Sequence, residues 1–442
     1  MTDQVNTRGL ALEFLLEVEK GALSHVALRD MLERYQYLDK QERAFLTRLC
    51  EGTLERRLEL DAIINHFSKV PVKKQKPVIR NLLRMSVYQL KYMDQVPDSA
   101  VCNEAVRLAQ KKGFGTLKGF VNGVLRSIAR GIEEISFDDP SICYSTPQWI
   151  VDQWVEEYGK DKAVRMLEDQ YAEKPVTIRI NETKTTKQQL KARLESEGVT
   201  VQEVDGMDCA LAISGFDYLR ALSSFREGLF HVQDESSQLA VRVLDPKKGE
   251  EILDMCAAPG GKSFTIAERM ENEGSLLSCD IYAHKIDLME EGAERLGISI
   301  MQCRVKDAAA KEESPKRFDR VLADVPCSGL GLMRKKPDIR LKKDGNEIDS
   351  LTKIQREILE NAAGYVKKGG VLVYSTCTLC RKENEKNLEW FLKDHPDFTA
   401  EDISEFLPEG WDTETAKKGY LTLLPHKTGT DGFFISKLRR KD

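Results

Sequence analysis

The chain has 442 residues, 41% of them hydrophobic, and a formal charge of -5 from 67 basic and 72 acidic side chains. That length exceeds one ordinary core and sets an expectation of two or three domains. No stretch approaches the ~20 apolar residues of a membrane helix, and Met1-Thr2-Asp3-Gln4 opens no apolar leader, so a cytoplasmic protein without membrane contact is expected.

From residue 6 to 135 the pattern is almost wholly amphipathic helix. Ala11-Leu12-Phe14-Leu15-Leu16-Val18 puts apolar side chains on one helical face, and Ile79-Leu82-Leu83-Met85-Val87-Tyr88-Leu90 does so again. Pro71, Pro97 and Gly113-Phe114-Gly115 punctuate the run, which predicts an all-α domain over 1–140 with a loose connection near Asp138-Asp139-Pro140. Between Lys69 and Arg130 stand 13 Lys or Arg against Asp94, Asp98 and Glu104, a local +10 that leaves -15 for the remainder. A single Lys is usually just solvated surface; a basic block on an acidic protein is the footprint of phosphate binding.

The texture changes from Ser141. Trp149-Ile150-Val151-Trp154 reads as a helix, Val176 to Asn181 alternates like a strand, a helix follows from Gln188 to Glu197, and short strands at 200–204 and 210–213 complete a small α/β module over 141–235. Over 236–442, strands at 250–255, 275–280, 298–305, 318–324, 370–376 and 430–438 alternate with helices, which predicts a doubly wound α/β sheet. The polar, basic stretch from Arg334 to Asn346 reads as a mobile loop.

The first strand of that sheet ends in Asp254-Met255-Cys256-Ala257-Ala258-Pro259-Gly260-Gly261-Lys262-Ser263. A P-loop needs Gly five residues before the Gly of Gly-Lys-Ser, where Cys256 stands. A dinucleotide fingerprint needs G-x-G-x-x-G, which Gly260-Gly261-Lys262-Ser263-Phe264 does not supply. What remains is a tight turn of small residues into a helix N-terminus whose N–H groups suit a carboxylate. Asp280 ends the next predicted strand, where an acid accepts both ribose hydroxyls. A nucleoside carrying a carboxylate fits, and S-adenosylmethionine is such a molecule. Asp307, ending the third strand, then stands near the adenine edge, or is simply a helix N-cap.

Two cysteines follow predicted buried strands: Cys327 in Ala323-Asp324-Val325-Pro326-Cys327-Ser328-Gly329 and Cys377 in Tyr374-Ser375-Thr376-Cys377-Thr378. Ligands gather at the carboxyl ends of strands in open α/β sheets, so both thiols should face one site. The ten cysteines are scattered from Cys50 to Cys380 without tight pairing, which argues for reduced thiols. Cys377 and Cys380 make one C-x-x-C, but no second pair and no histidine at ligand spacing accompanies it, so no metal is expected. Either cysteine alone is ordinarily a small buried hydrophobe. Two at strand ends suit a harder task, because carbon 5 of a pyrimidine becomes nucleophilic only after a thiolate adds to carbon 6. A protonated Asp324 that hydrogen-bonds the ring nitrogen would assist that attack.

These residues resemble the cytosine-C5 RNA methyltransferases, and within them the RsmB (Fmu/Sun) family of 16S rRNA enzymes. The resemblance spans essentially the whole chain, including Thr177-Ile178-Arg179-Ile180-Asn181, Gln233-Asp234-Glu235-Ser236-Ser237-Gln238 and the closing Asp431-Gly432-Phe433-Phe434-Ile435. It implies a NusB-like helical RNA-binding domain over 1–140, a small α/β (RRM-like, N1-type) segment over 141–235 and a Rossmann-like class I methyltransferase domain over 236–442. It implies that Cys256, Ala257, Ala258, Pro259, Gly260, Gly261, Lys262, Asp280, Asp307 and Asp324 line an S-adenosylmethionine site, that Cys377 is the nucleophile and that Cys327 assists product release. The residues themselves do not order the two thiols, since DNA cytosine methyltransferases attack with the cysteine of a Pro-Cys pair. Cys380 is an addition to the family pattern. The implied substrate is 16S rRNA, unassembled or partly assembled, acted on by a monomer. A tRNA cytosine-C5 methyltransferase and a non-catalytic RNA-binding assembly factor are the alternative readings.

Overall fold

The computed structural model describes residues 6–313, 315–342 and 344–442. By internal contacts the chain divides into two units, Met1–Gln170 with Met333–Lys343, and Tyr171–Leu332 with Asp344–Asp442. The stretch 141–235 is thus shared between them.

The first unit is all helix. Its central helix Pro77–Tyr92 opens with Pro at its first turn, where the missing N–H costs nothing. Ile79, Leu82, Leu83, Met85, Val87 and Tyr88 are all buried, each such side chain contributing about 1.5–3 kcal/mol of transfer free energy. They pack against helices Thr7–Glu19, Lys40–Glu55, Arg57–Phe67, Asp98–Lys111 and Lys118–Gly131. The basic block is less free than its composition suggests. Arg84 is buried and forks onto Asp61 at 2.6 and 2.7 Å, Lys91 meets Glu59 and Lys112 meets Glu13, while Arg80 pairs with Glu19. Acids from outside the block neutralise its inner face. Lys69, Lys73, Lys74, Lys76, Lys111, Lys118, Arg126 and Arg130 are exposed.

The expected mobile loop from Arg334 to Asn346, of which Lys343 lies outside the described residues, instead carries a helix at Asp338–Lys342 within this unit. Its polar residues are consumed by structure. Helix Ser24–Arg34 lacks a cap from its own N-cap residue, and the buried Asp338 supplies one, accepting from Ser24 N–H at 3.2 Å and from the Ser24 hydroxyl. Arg340, fully buried, donates to the Met333 carbonyl at 3.1 Å.

The second unit holds two sheets. An antiparallel sheet of order β2-β3-β1-β4 is built from β1 (Val176–Ile180), β2 (Thr200–Glu203), β3 (Ala210–Ser214) and β4 (Phe230–Val232). The larger sheet contains β5 (Glu251–Asp254), β6 (Ser275–Asp280), β7 (Met301–Val305), β8 (Phe318–Asp324), β9 (Val366–Thr376), β10 (Phe398–Ala400), β11 (Tyr420–Leu423) and β12 (Phe433–Arg440). Its order is β10-β12-β9-β8-β5-β6-β7, with β11 paired to β12. β5 to β9 are parallel, while β12 returns antiparallel to β9. Val321, Leu322 and Ala323 of β8 and Leu372, Val373 and Tyr374 of β9 are buried irrespective of which face they point to, as a sheet covered by helices on both sides requires. β4, β10 and β11 are absent from the predicted elements, being three or four residues long with too little periodicity to read.

Candidate active site

The chain runs outward from β5 through β6 to β7, then returns with β8 on the other side of β5. Such a switch opens a crevice at the carboxyl ends of the strands, where α/β sheets hold ligands. Cys256 to Lys262 follow β5, Asp280 closes β6, Asp307 follows β7, Asp324 closes β8, and Cys327 and Cys377 lie just past β8 and β9. Five neighbouring strands therefore deliver every expected residue to one end of the sheet.

The turn after β5 is held by backbone bonds: Ala257 N–H donates to the Cys279 carbonyl at 2.7 Å and Gly260 N–H to Ala257 O at 2.8 Å. Gly260 sits at φ +104°, and a Cβ there would stand 2.5 Å from the Phe264 ring, so glycine is required both for conformation and for space. Helix Gly261–Arg269 begins at once. Burial, then the charges of Asp254, Asp324 and Asp280, push the Cys256 thiol well up, which makes it a poor nucleophile.

Lys262 Nζ lies 2.7 Å from Asp324 Oδ2, while Ser375 Oγ donates to Asp324 Oδ1 at 2.8 Å. Burial pulls the Lys262 ammonium down, but the Asp324 charge and hydrogen bond outweigh it, so its pKa is raised. Both Asp324 oxygens accept as found; for Asp324 to donate to a base, one of these contacts must be given up. Asp280 is nearly buried. Its Oδ1 accepts from Tyr282 N–H at 3.0 Å and lies 3.7 Å from Lys285 Nζ. Asp307 is exposed and turns its Oδ1 back onto Ala309 N–H at 2.9 Å, closing a local turn; the alternative reading as a helix N-cap does not hold, since among the described residues no helix starts there. Among the described residues Asp280 and Asp307 contact neither Asp324 nor the thiols.

Cys327 Sγ and Cys377 Sγ are 3.2 Å apart. The Cys327 thiol is pushed well up, first by its hydrogen bond with Cys377, then by burial and by the charges of Cys377 and Glu383. Either sulfur can be the donor in this contact. Gly331 N–H donates to the Cys377 carbonyl at 3.1 Å and Gly432 N–H to Gly331 O at 3.0 Å. A Cβ on Gly331 would stand 1.9 Å from Gly432 O, so two glycine backbones pack directly on each other beside the Cys377 carbonyl. Cys380 is buried and is in no disulfide among the described residues. Ser375 and Glu383 were not singled out from sequence, because a serine inside a strand and an acid in a polar turn carry no periodic signal.

The Gln233-to-Gln238 signature braces this end of the sheet. Asp234 accepts from Ser236 N–H at 3.0 Å and from Asp431 N–H at 3.2 Å, Gln233 Oε1 accepts from Thr265 Oγ at 2.7 Å, and Ser237 Oγ lies 3.3 Å from Lys262 Nζ.

Residues 241–439 match the family described as 16S rRNA methyltransferase RsmB/F, residues 5–130 the NusB family, and residues 146–216 the ferredoxin-like domain of RsmF/B-like methyltransferases. The chain is 39% identical to the probable ribosomal RNA small subunit methyltransferase B of Bacillus subtilis (strain 168), over 99% of both chains. It is 30% identical to ribosomal RNA small subunit methyltransferase B of Escherichia coli O17:K52:H18, over all of both. Among solved structures it is similar to the crystal structure of PH0851, at 27% identity, 99% coverage of each chain and a TM-score of 0.84. The fold of NSun6 from Pyrococcus horikoshii with SFG is also shared, at 24% identity and a TM-score of 0.60 over 67% of this chain and 98% of that one.

Proposed function

Since the chain belongs to the RsmB/F family of S-adenosylmethionine-dependent rRNA small subunit methyltransferases, we propose that it methylates carbon 5 of a cytosine in 16S rRNA through a covalent adduct between Cys377 and carbon 6 of the base. The 3.2 Å contact between the two strand-end thiols carries this reading. A lone strand-end thiol would be packing; two thiols in hydrogen-bond contact at the ends of neighbouring strands suit addition to a base and the release that must follow it.

The residues fit the cofactor. The turn from Cys256 to Lys262 leads into a helix N-terminus suited to a carboxylate, Asp280 stands at the second strand end for the ribose, and Asp307 and Asp324 close the neighbouring strands. S-adenosylmethionine supplies an electrophilic methyl group on a sulfonium. The protein's own part is to add Cys377 sulfur to carbon 6, which makes carbon 5 nucleophilic. Loss of the carbon 5 proton to water then restores the ring double bond as the sulfur–carbon bond breaks and its electron pair leaves on the Cys377 sulfur. Cys327, in contact with the departing sulfur, returns it to a hydrogen-bonded thiol pair. The target base must leave any stack to reach these thiols, so unassembled or partly assembled rRNA in the cytoplasm is the proposed substrate, met by a monomer. The exposed lysines of the NusB-like domain supply phosphate contacts.

Bisulfite sequencing of rRNA from cells with and without the gene tests this. Loss of one protected cytosine in 16S rRNA is expected; an unchanged 16S pattern with a lost site in tRNA would overturn it.

A further inference from the structure

We propose that Glu383 is a positioning residue that sets the distance between the two thiols by gripping Ser328, which follows Cys327, and through Ser328 the Thr378 that follows Cys377. Glu383 is fully buried in the turn between β9 and the helix Glu385–Asp394. Its Oε1 accepts from Ser328 N–H at 2.8 Å and from Gln355 Nε2 at 2.9 Å, and its Oε2 accepts from Ser328 Oγ at 2.5 Å. Ser328 follows Cys327. Ser328 Oγ also shares a 2.7 Å hydrogen bond with Thr378 Oγ, and Thr378 follows Cys377. One side chain therefore ties both cysteine loops.

The tie is anchored on every side. Gln355 Nε2 also donates to the Pro326 carbonyl at 3.0 Å, so the Cys327 loop is fixed before as well as after the thiol. Asn387 Nδ2 donates to Gln355 Oε1 at 2.9 Å and to Glu383 O at 3.2 Å, and the Tyr374 hydroxyl donates to the same carbonyl. Asn384 accepts from Thr376 Oγ at 2.6 Å and donates to Thr378 O at 2.9 Å, which brackets Cys377 in turn. Among the described residues no Lys or Arg pairs with Glu383. A buried carboxyl held by neutral donors alone is a costly way to close a loop, but it alone accepts at every point. An amide would turn its N–H group either toward Ser328 N–H and Gln355 Nε2, which are donors already, or toward the Ser328 hydroxyl, which would then have to accept where it now donates. Glu383 also acts on Cys327 through its charge, one of the causes that keep that thiol protonated.

This inference rests on the proposed roles of the two thiols, and its test separates the two. The full chain carrying Glu383→Gln is compared with the unaltered protein and with Cys327→Ala. Bridging of Cys327 and Cys377 by phenylarsine oxide, mapped by peptide mass spectrometry, is expected to slow by about tenfold or more, the scale of losing hydrogen bonds to a carboxylate. S-adenosylmethionine affinity should stay unchanged, and the covalent RNA complex should accumulate as in Cys327→Ala. A folded Glu383→Gln protein with unaltered bridging overturns the inference, as does one that loses cofactor affinity in step with bridging. Should Cys327→Ala accumulate no complex, the release role of Cys327 falls while the bridging rate still decides Glu383. If Glu383→Gln does not fold, Ser328→Ala decides: it removes the hydroxyl that joins the two loops, and bridging at the original rate would overturn the inference.

Discussion

Asp254 Oδ2 accepts a 2.7 Å hydrogen bond from Ser263 Oγ, itself fed by Ser278 Oγ at 2.8 Å, and the carboxyl is fully buried. Burial, opposed by the Ser263 bond and aided by the Asp324 charge, pushes this carboxyl from 3.8 to about 7. An acid raised in the folded state binds its proton more tightly there than in the unfolded chain, so the fold loses stability as pH climbs from about 4 to about 7. At roughly 1.4 kcal/mol per unit, the loss is on the order of 4 kcal/mol. Denaturant titrations at pH 5 and 8 should show this slope in the unaltered protein and a reduced one in Asp254→Asn. Identical slopes would show that Asp254 titrates normally.

Cys377→Ala should abolish methylation and leave S-adenosylmethionine binding nearly intact, because the thiol acts on the base. Cys327→Ala should instead trap an RNA–protein complex that survives a denaturing gel, since attack proceeds while release stalls. Should the adduct appear in Cys377→Ala and not in Cys327→Ala, the two roles must be exchanged.

Asp280→Ala is expected to weaken cofactor binding by roughly 1.5–3 kcal/mol, the range for hydrogen bonds to a charged group. Calorimetry provides the check. An unaltered dissociation constant would reduce Asp280 to its contacts with Tyr282 and Lys285.

Lys73, Lys74 and Lys76 are exposed, at the turn into the buried helix Pro77–Tyr92. If all three touch phosphates, their joint neutralisation should flatten the slope of log affinity against log salt by about 2 to 3 units, at roughly 0.7 per contact on single strands and 0.9 on duplex. The same slope before and after would remove this surface from RNA binding. Arg84→Ala is the contrasting variant: its guanidinium is spent on Asp61, so it should lower the melting temperature and leave the salt slope alone.

The local pattern of the chain was enough to place β8 at 318–324 and to put two cysteines, three acids and a glycine turn at strand ends, because strand periodicity and turn chemistry are properties of neighbouring residues. It was also enough to show that residues 6 to 135 are almost wholly helical. What it did not contain was pairing across distance. The count of +10 between Lys69 and Arg130 overstated the free charge, since Asp61, Glu59, Glu19 and Glu13 come from elsewhere in the chain to meet it. The stretch from Arg334 looked like a solvated loop because its composition is polar, yet Asp338 is buried as the cap of a helix 314 residues away. The contact between the two thiols was equally closed to sequence, because cysteines fifty residues apart meet only in the fold. Folding brings Glu383 against the Cys327 loop and Cys327 against Cys377, an arrangement that neighbouring residues do not encode.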